Sequence, residues 1–253
     1  MAKIPVALQM YTLRDQTATD FAGIHKEVAK IGYAGVEIGY GAGNLSGADL
    51  KKFLEDCGLK LCGVHVPIDA LDKDLIKVIK YNLALGNKYI VCPWMPEDRR
   101  KDAAGWQRTA RVMASIGSAL KTDGLQLCYH NHSFEFQKFD GKYGFDIFYD
   151  YCEPALVQAE IDTYWIQHGG ENPAEYIRKY ANRAPLIHLK DMLGDAEKTF
   201  AEVGNGILDW PAIFKASEAA GAKWYIVEQD RCQRPPLESV KISFENLKKM
   251  KVV

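Results

Sequence analysis

The feature that most constrains the fold is a repeated unit in which a short apolar run of strand type is followed by a helical pattern. Lys60–His65 has the composition of a strand, and the helical pattern of Leu71–Leu85 ends at Gly86. Eight such units fit within the 253 residues. Eight strands alternating with eight helices in about 250 residues predict an α/β fold, the (β/α)8 TIM barrel.

We expect one TIM-barrel domain over residues 1–253. The predicted strands are Pro5–Met10, Gly35–Ile38, Lys60–His65, Lys88–Cys92, a run that begins at Leu125, Leu156–Asp162, Pro185–Leu189 and Trp224–Glu228. The predicted helices are Asp20–Lys30, Leu45–Gly58, Leu71–Leu85, Trp106–Leu120, Phe145–Cys152, Pro173–Tyr180, Asp209–Ala220 and Leu237–Met250. An open doubly wound sheet would usually have fewer strands, and no Gly-x-Gly-x-x-Gly follows a strand here. A solenoid is disfavoured because the units share no signature beyond a helix-closing Gly.

Composition narrows the choice of partners. Hydrophobic residues make up 47% and charged residues 26% of the chain, and the formal net charge is -1. Neither a basic stripe for nucleic acid nor a polybasic or amphipathic segment for a membrane surface is present in the sequence. The first residues do not have the pattern of a signal peptide. We therefore expect a cytoplasmic protein with a small-molecule partner, and homo-oligomerisation is left open.

Polar side chains end several of the predicted strands, where the active site of a TIM-barrel enzyme lies. Because side chains alternate faces along a strand, Asp162 lies opposite the apolar residues of its own strand. The same alternation places His188 and Glu228 on the inward faces of the next two strands. Together, Asp162, His188 and Glu228 are predicted to meet at one mouth of the barrel, where a divalent cation would balance their charge.

The fifth strand ends in a dense set of chemical groups. Within seven residues it offers Tyr129, His130, Asn131, His132 and Glu135, each of which can donate, accept or bind metal. Packing alone does not explain such a strand end, so we interpret it as part of the active site.

Five segments, in order along the chain, resemble the sugar phosphate isomerase/epimerase family. This is the xylose isomerase-like barrel group, which also includes ketose 3-epimerases, inosose dehydratases and endonuclease-IV-type enzymes. The segments are Tyr129–Phe136, Glu160–Trp165, Ile187–Asp191, Val203–Trp210 and Tyr225–Glu228.

The resemblance implies one divalent metal held by Glu, Asp, His and Glu from strands five to eight. Asp162, His188 and Glu228 match the last three ligands, and Glu135 is our choice for the first because it closes strand five. Some ketose epimerases have this Glu earlier, where this chain has Tyr129 or His130. Three carboxylates favour Mn²⁺, with Mg²⁺, Co²⁺ or Zn²⁺ as alternatives.

The same resemblance implies chemistry in which the metal polarises a carbonyl and an adjacent hydroxyl while a base removes the neighbouring proton, giving an enediolate. His132 is the first candidate base, with the orientation of a ligand as its alternative role. Glu135 and Glu228 complete the predicted catalytic set. The predicted substrate-binding residues are Glu37, His65, Trp94, His130, Trp165 and Lys190.

The leading hypothesis is a metal-dependent sugar isomerase or epimerase. The alternative is a lyase that acts on a keto-sugar, keto-inositol or 3-keto-glycoside through the same metal site. A DNA endonuclease would need more metal ligands and a basic surface. A catalytically silent sugar-binding barrel is the fourth hypothesis.

Overall fold

The chain forms a closed barrel of eight parallel strands, as the alternating pattern predicts. The computed structural model describes residues 3–253. The strands are β1 (Val6–Gln9), β2 (Gly35–Gly39), β3 (Lys60–His65), β4 (Tyr89–Cys92), β5 (Gln126–His130), β6 (Val157–Asp162), β7 (Leu186–Leu189) and β8 (Trp224–Val227). Each strand pairs with its neighbour in sequence, and β8 closes the barrel by pairing with β1, where Val6 lies opposite Tyr225.

Helices and short turns connect the strands. The helices are α1 (Arg14–Thr19), α2 (Phe21–Ile31), α3 (Gly47–Asp56), α4 (Ile68–Lys73), α5 (Leu75–Leu85), α6 (Ala103–Thr122), α7 (Gly144–Asp150), α8 (Thr163–His168), α9 (Pro173–Lys179), α10 (Trp210–Ala220) and α11 (Pro236–Lys249). Two small hairpins extend the loops, pairing Lys138–Phe139 with Lys142–Tyr143 and Asp191–Met192 with Phe200–Ala201. Within residues 3–253, no helix combines the length and apolar character needed to cross a membrane.

The helix predictions differ from the structure at three places. The helix predicted over Leu71–Leu85 is two helices, α4 and α5, that meet at Asp74. Helices α1 and α8 were not predicted because each has only six residues, too few to show an apolar period. Helix α8 begins directly at the end of β6, where the Asp162 side chain accepts a hydrogen bond from the Trp165 backbone N–H.

The core has two layers. The outer layer lies between strands and helices and contains the apolar faces of β5 to β8, such as Leu127, Ile161 and Ile187. The inner layer fills the lower part of the barrel with a small set of side chains: Ala7, Cys62, Tyr89, Val91, Cys128, Leu186 and Ile226. Strands that are buried on both faces have continuous apolar sequences, which is why these strands could be predicted from the sequence.

The packing of α6 on the segment before β6 depends on Gly117. A Cβ atom at this position would overlap the Leu156 carbonyl oxygen. Alanine normally stabilises a helix relative to glycine, but here the clash is with backbone, which cannot rotate away. We expect Gly117→Ala to lower the free energy of unfolding by about 1–2 kcal/mol, measured by urea denaturation.

The matched control is Ser118→Ala, on the exposed face of the same helix. It should be neutral or slightly stabilising. Equal stabilisation by both variants would show that the close approach of α6 to Leu156 is not a constraint.

Candidate active site

The carboxyl ends of the strands converge on one mouth of the barrel, and alternation decides which side chains point into it. On β5, Leu127 and Tyr129 pack in the outer layer, whereas Cys128 lies in the inner layer. His130 follows Cys128 on the inward face and lines the cavity at the mouth. The outward packing of Val157, Ala159 and Ile161 on β6 likewise leaves Glu160 and Asp162 facing inward.

Four side chains from the consecutive strands β5 to β8 and their ends form what we call the donor group: His130, Asp162, His188 and Glu228. One possible ligand atom from each lies within 4.8 Å of all the others, and all four residues are buried. The structure therefore brings together the three residues selected by strand alternation. The fourth member is His130, which was predicted to bind substrate.

The ammonium group of Lys190 lies among carboxylates at the donor group. Its Nζ is 2.6 Å from Glu228 Oε2, 3.0 Å from Asp162 Oδ2 and 3.1 Å from Asp230 Oδ2. Burial alone would lower the pKa of Lys190, but these carboxylates raise it well above its usual value. Burial would raise the pKa of Glu228, but Lys190 and His188 hold it below its usual range. The oxygens thus create a position that favours positive charge.

Asp162 has one oxygen available to a cation. Its Oδ1 accepts the Trp165 N–H at 2.9 Å, whereas the buried Oδ2 accepts no well-aligned hydrogen bond from the described residues. Burial raises the pKa of Asp162 to about 6, against the opposing effect of the Lys190 ammonium. Two carboxylates and two imidazoles of this kind are a suitable donor set for a divalent transition metal.

Glu135 lies elsewhere. Its Oε1 accepts a 2.6 Å hydrogen bond from the Tyr129 hydroxyl, and its Oε2 accepts the His132 backbone N–H at 2.8 Å. Among residues 3–253, it belongs to no group of side chains close enough to share a metal. Since Tyr129 packs in the outer layer, this bond holds the Glu135 carboxylate away from the inward face of β5. Burial raises the pKa of Glu135 to about 7.

His132, the predicted base, lies beside the donor group. Its ring centroid is 5.0 Å from that of His130, and it stacks on Phe134 with 6° between the ring planes. The Trp94 ring meets it edge-on, and the centroid of the tilted Trp165 ring lies 5.3 Å away. Burial, helped by the Lys190 charge, lowers the pKa of His132 to about 3, so the imidazole is neutral at physiological pH.

A second layer of polar side chains lies beneath the donor group. Glu37 and Glu160 are fully buried, and His65 Nε2 lies 3.0 Å from Glu37 Oε2 and 2.9 Å from Glu160 Oε1. Burial by itself lowers the pKa of His65, but the two carboxylates raise it to about 10. Glu37 also accepts a hydrogen bond from the Gln9 side-chain amide at 2.8 Å.

A cavity of about 1010 Å³, lined by His130 and Glu228, opens above the donor group, and a second cavity of about 920 Å³ adjoins it. Both are lined by Trp94 and His132, and Trp165 lines the second. Trp94 is 48% exposed and Tyr11, across the same rim, is 51% exposed. Of the predicted substrate-binding residues, His65, Trp94, His130 and Lys190 line the larger cavity, whereas Glu37 does not.

Two carboxylates at the mouth were left out of the predicted site residues, although strand alternation puts each on the same face as a predicted ligand. Glu160 lies two residues before Asp162 on the same face, and Asp230 lies two residues after Glu228. Applied to β5, the same rule places His130, two residues after the inward Cys128, in the mouth of the barrel.

Known proteins resemble this chain along most of its length. Residues 26–250 match the family model of the xylose isomerase-like TIM barrel. An inosose dehydratase from Clostridium beijerinckii is 26% identical over 143 residues, 50% of this chain and 47% of that protein, so this alignment spans about half of the relative. An inosose dehydratase from Clostridium botulinum is 25% identical over 84% of this chain and 83% of that protein. A solved sugar phosphate isomerase/epimerase from Parabacteroides distasonis superposes with a TM-score of 0.87 at 26% identity, covering 100% of this chain and 96% of that one.

Glu135 should make the stability of the protein depend on pH. Because its folded pKa of about 7 lies above the ordinary glutamate pKa of 4.5, the folded protein holds a proton that the unfolded chain releases between these values. The resulting stabilisation is fully present below about pH 4.5 and is lost as the pH rises through about 7. We expect the wild-type free energy of unfolding, relative to Glu135→Gln, to fall by roughly 3 kcal/mol across this window, measured by urea denaturation.

The control for this measurement is Glu153→Gln, which neutralises an exposed carboxylate. A wild-type-minus-Glu135→Gln difference that stays constant with pH would contradict the burial argument.

Proposed function

Since the chain belongs to the xylose isomerase-like TIM-barrel family, we propose that it is a metal-dependent lyase that acts on a keto-sugar, keto-inositol or 3-keto-glycoside. The observation that carries this proposal is the end of β5. It places the His132 imidazole in the lining of the cavity, while Glu135 is held by Tyr129 outside the donor group.

The donor group would hold the metal through His130, Asp162, His188 and Glu228. Asp162 Oδ2, which accepts no well-aligned hydrogen bond from the described residues, and the mixed nitrogen and oxygen donors support this assignment. When bound, a divalent cation supplies Lewis-acid polarisation of a carbonyl oxygen and a neighbouring hydroxyl.

His132 is the base in the proposed reaction. Its neutral imidazole accepts the proton from the carbon next to the substrate carbonyl, and the electron pair of that C–H bond forms an enolate. The enolate re-forms the carbonyl as a carbon–carbon double bond forms and the bond to the β-oxygen breaks. The departing oxygen takes a proton from the imidazolium of His132, leaving an unsaturated ketone and water or an alcohol.

Other residues of this chain bind and orient the substrate. The Lys190 ammonium, in contact with Glu228 and Asp162, places positive charge beside the oxygen that gains negative charge. Trp94 and Trp165, which flank His132, offer apolar faces for a sugar ring and limit the access of water to the base.

The relatives support the lyase. Inosose dehydratases align with this chain, and the alignment with the one from Clostridium botulinum covers 84% of this chain and 83% of that protein. At 25–26% identity, this similarity supports the class of chemistry rather than the particular substrate.

The second candidate is a sugar isomerase or epimerase, the description of the solved protein from Parabacteroides distasonis. Its first step is the same, but the proton returns to the neighbouring carbon or to the opposite face. Epimerisation by a pair of metal-held glutamates would need two glutamates in the donor group, whose four residues include only Glu228. This favours the lyase.

Product mass distinguishes the two candidates. We expect a keto-inositol to lose the mass of water, or a 3-keto-glycoside to release its aglycone, because elimination breaks a carbon–oxygen bond. Isomerisation would leave the mass unchanged, and such a result in mass spectrometry would contradict the lyase.

His132→Asn should lower the rate of elimination, and of proton exchange in deuterated water, by about 10²- to 10⁴-fold, the usual contribution of a general base. Its metal content should stay at the wild-type level because His132 is outside the donor group. The control is His168→Asn, which changes a half-buried imidazole on α8 that lines neither cavity. Full exchange activity in His132→Asn would assign the base to another residue.

The donor group also alters the expected metal. With His130 in place of a carboxylate, the set has two nitrogens and two oxygens, which favours Zn²⁺ or Co²⁺ over the Mn²⁺ expected for three carboxylates. We expect the purified apoprotein, offered equimolar Mn²⁺ and Zn²⁺, to retain Zn²⁺ in elemental analysis after dialysis.

Most protein sites bind Mn²⁺ more weakly than Zn²⁺, whatever their ligands. The informative comparison is therefore between the metal retained by the wild type and by His130→Glu. This variant restores three carboxylates and should increase the retained fraction of Mn²⁺ relative to wild type. An unchanged fraction in His130→Glu would show that His130 is not a ligand.

A further inference from the structure

Each imidazole of the donor group has one nitrogen facing the other donors and one facing a buried carboxylate. For His130, Nε2 lies 3.7 Å from Asp162 Oδ2, and Nδ1 lies 2.9 Å from Glu160 Oε1. A neutral imidazole that gives Nε2 to a metal carries its hydrogen on Nδ1. Glu160 is placed to accept that hydrogen.

His188 has the same arrangement with its nitrogens exchanged. Its Nδ1 lies 3.0 Å from Glu228 Oε2 in the donor group, and its Nε2 lies 2.7 Å from Glu37 Oε2. Nε2 is also 3.1 Å from Glu160 Oε1, so Glu37 is the nearer acceptor. The two imidazoles would therefore bind metal through different nitrogens, each with a carboxylate behind it.

His65 joins the two carboxylates. Its Nε2 is 3.0 Å from Glu37 Oε2 and 2.9 Å from Glu160 Oε1, the same two oxygens that face His188 Nε2. The His65 and His188 rings are nearly parallel, with 15° between their planes. A single hydrogen-bonded layer thus fixes both carboxylates beneath the donor group.

Gly63 on β3 leaves the space that this layer needs. A Cβ atom there would lie 2.5 Å from Glu37 Oε1. The pairing of β2 with β3 also shifts register between Val36 and Glu37. The backbone is therefore shaped around the Glu37 carboxylate, which is fully buried and would be costly to retain without a partner.

We propose that Glu37 and Glu160 are positioning residues that fix the tautomer and ring orientation of the two imidazole ligands, His188 and His130, with His65 holding both carboxylates in place. This inference rests on the proposed metal site. Under this inference Glu37 orients a ligand instead of binding substrate hydroxyls directly, and His65 fixes the two carboxylates. Glu160, which was not among the predicted site residues, orients the other imidazole. Loss of such a carboxylate partner typically weakens metal binding by about 10- to 100-fold.

The test uses Co²⁺ and Zn²⁺ as probes on the 253-residue chain. Glu37→Gln and Glu160→Gln keep the size of each side chain but remove its charge and change its hydrogen bonding. We expect each to weaken Zn²⁺ binding, measured by competition with a chelator, by about 10- to 100-fold. We also expect the visible absorption bands of bound Co²⁺ to shift, because the bands report the ligand geometry and a purely structural role would leave them unchanged.

The matched control is Glu202→Gln. Glu202 is a buried carboxylate that accepts a hydrogen bond from Ser239. It belongs neither to the donor group nor to the overlapping set of His65, His130, Glu160 and His188, whose ligand atoms lie equally close together. It should change neither the affinity nor the Co²⁺ spectrum. Gly63→Ala is a second, independent variant, since it displaces the Glu37 carboxylate while every ionisable group is retained, and it should weaken binding in the same direction.

The outcomes separate this inference from the proposed function. A wild-type protein that binds neither ion would overturn the metal site, and this inference with it. A wild-type protein that binds Co²⁺, with folded Glu37→Gln and Glu160→Gln variants of wild-type affinity and spectrum, would overturn only the positioning roles. If a Gln variant does not fold, Gly63→Ala decides: unchanged affinity overturns the role of Glu37.

Discussion

The structure depends on the compensation of buried charge at one mouth of the barrel. Four carboxylates lie there with exposures of 0 to 5%: Glu37, Glu160, Asp162 and Glu228. Isolated carboxylates would be too costly to bury, so each one contacts an imidazole or the Lys190 ammonium. A closed barrel makes this possible because eight strands direct side chains from far apart in the sequence to the same few ångströms.

The polar side chains are arranged in two levels, and the imidazoles connect them. His130 and His188 each face the donor group with one nitrogen and a deeper carboxylate with the other. This arrangement has consequences for any bound cation, since the orientation of a ring limits where its free nitrogen can point. Below both levels the barrel is filled by apolar side chains such as Cys128 and Ile226, which exclude water from the charged layer.

Specificity would come from the loops rather than from the barrel. The two cavities share Tyr11, Arg14, Trp94, His132 and Asp230 at their rims. The hairpin after β7 adds Phe200 to the second cavity. Asp191 anchors this loop, because its carboxylate accepts hydrogen bonds from the Gly204 and Gly206 backbone N–H groups. The rim is largely aromatic, which suits ring-shaped substrates.

The sequence by itself determined the order of strands and helices, because parallel strands buried on both faces are apolar runs and the helices between them end at glycine. It also placed Asp162, His188 and Glu228 at one mouth. Strand alternation identifies the inward face of each strand, and a barrel brings the inward faces of neighbouring strands together. Strand alternation also applies to His130, the last residue of β5, but it gives no position for Glu135, because there the chain has left the strand. Only the tertiary structure showed that Tyr129, packed outward, holds Glu135 away from the donor group. Nor could the pairing of Glu37 with His188, 151 residues apart, be found locally, because it depends on closure of the barrel.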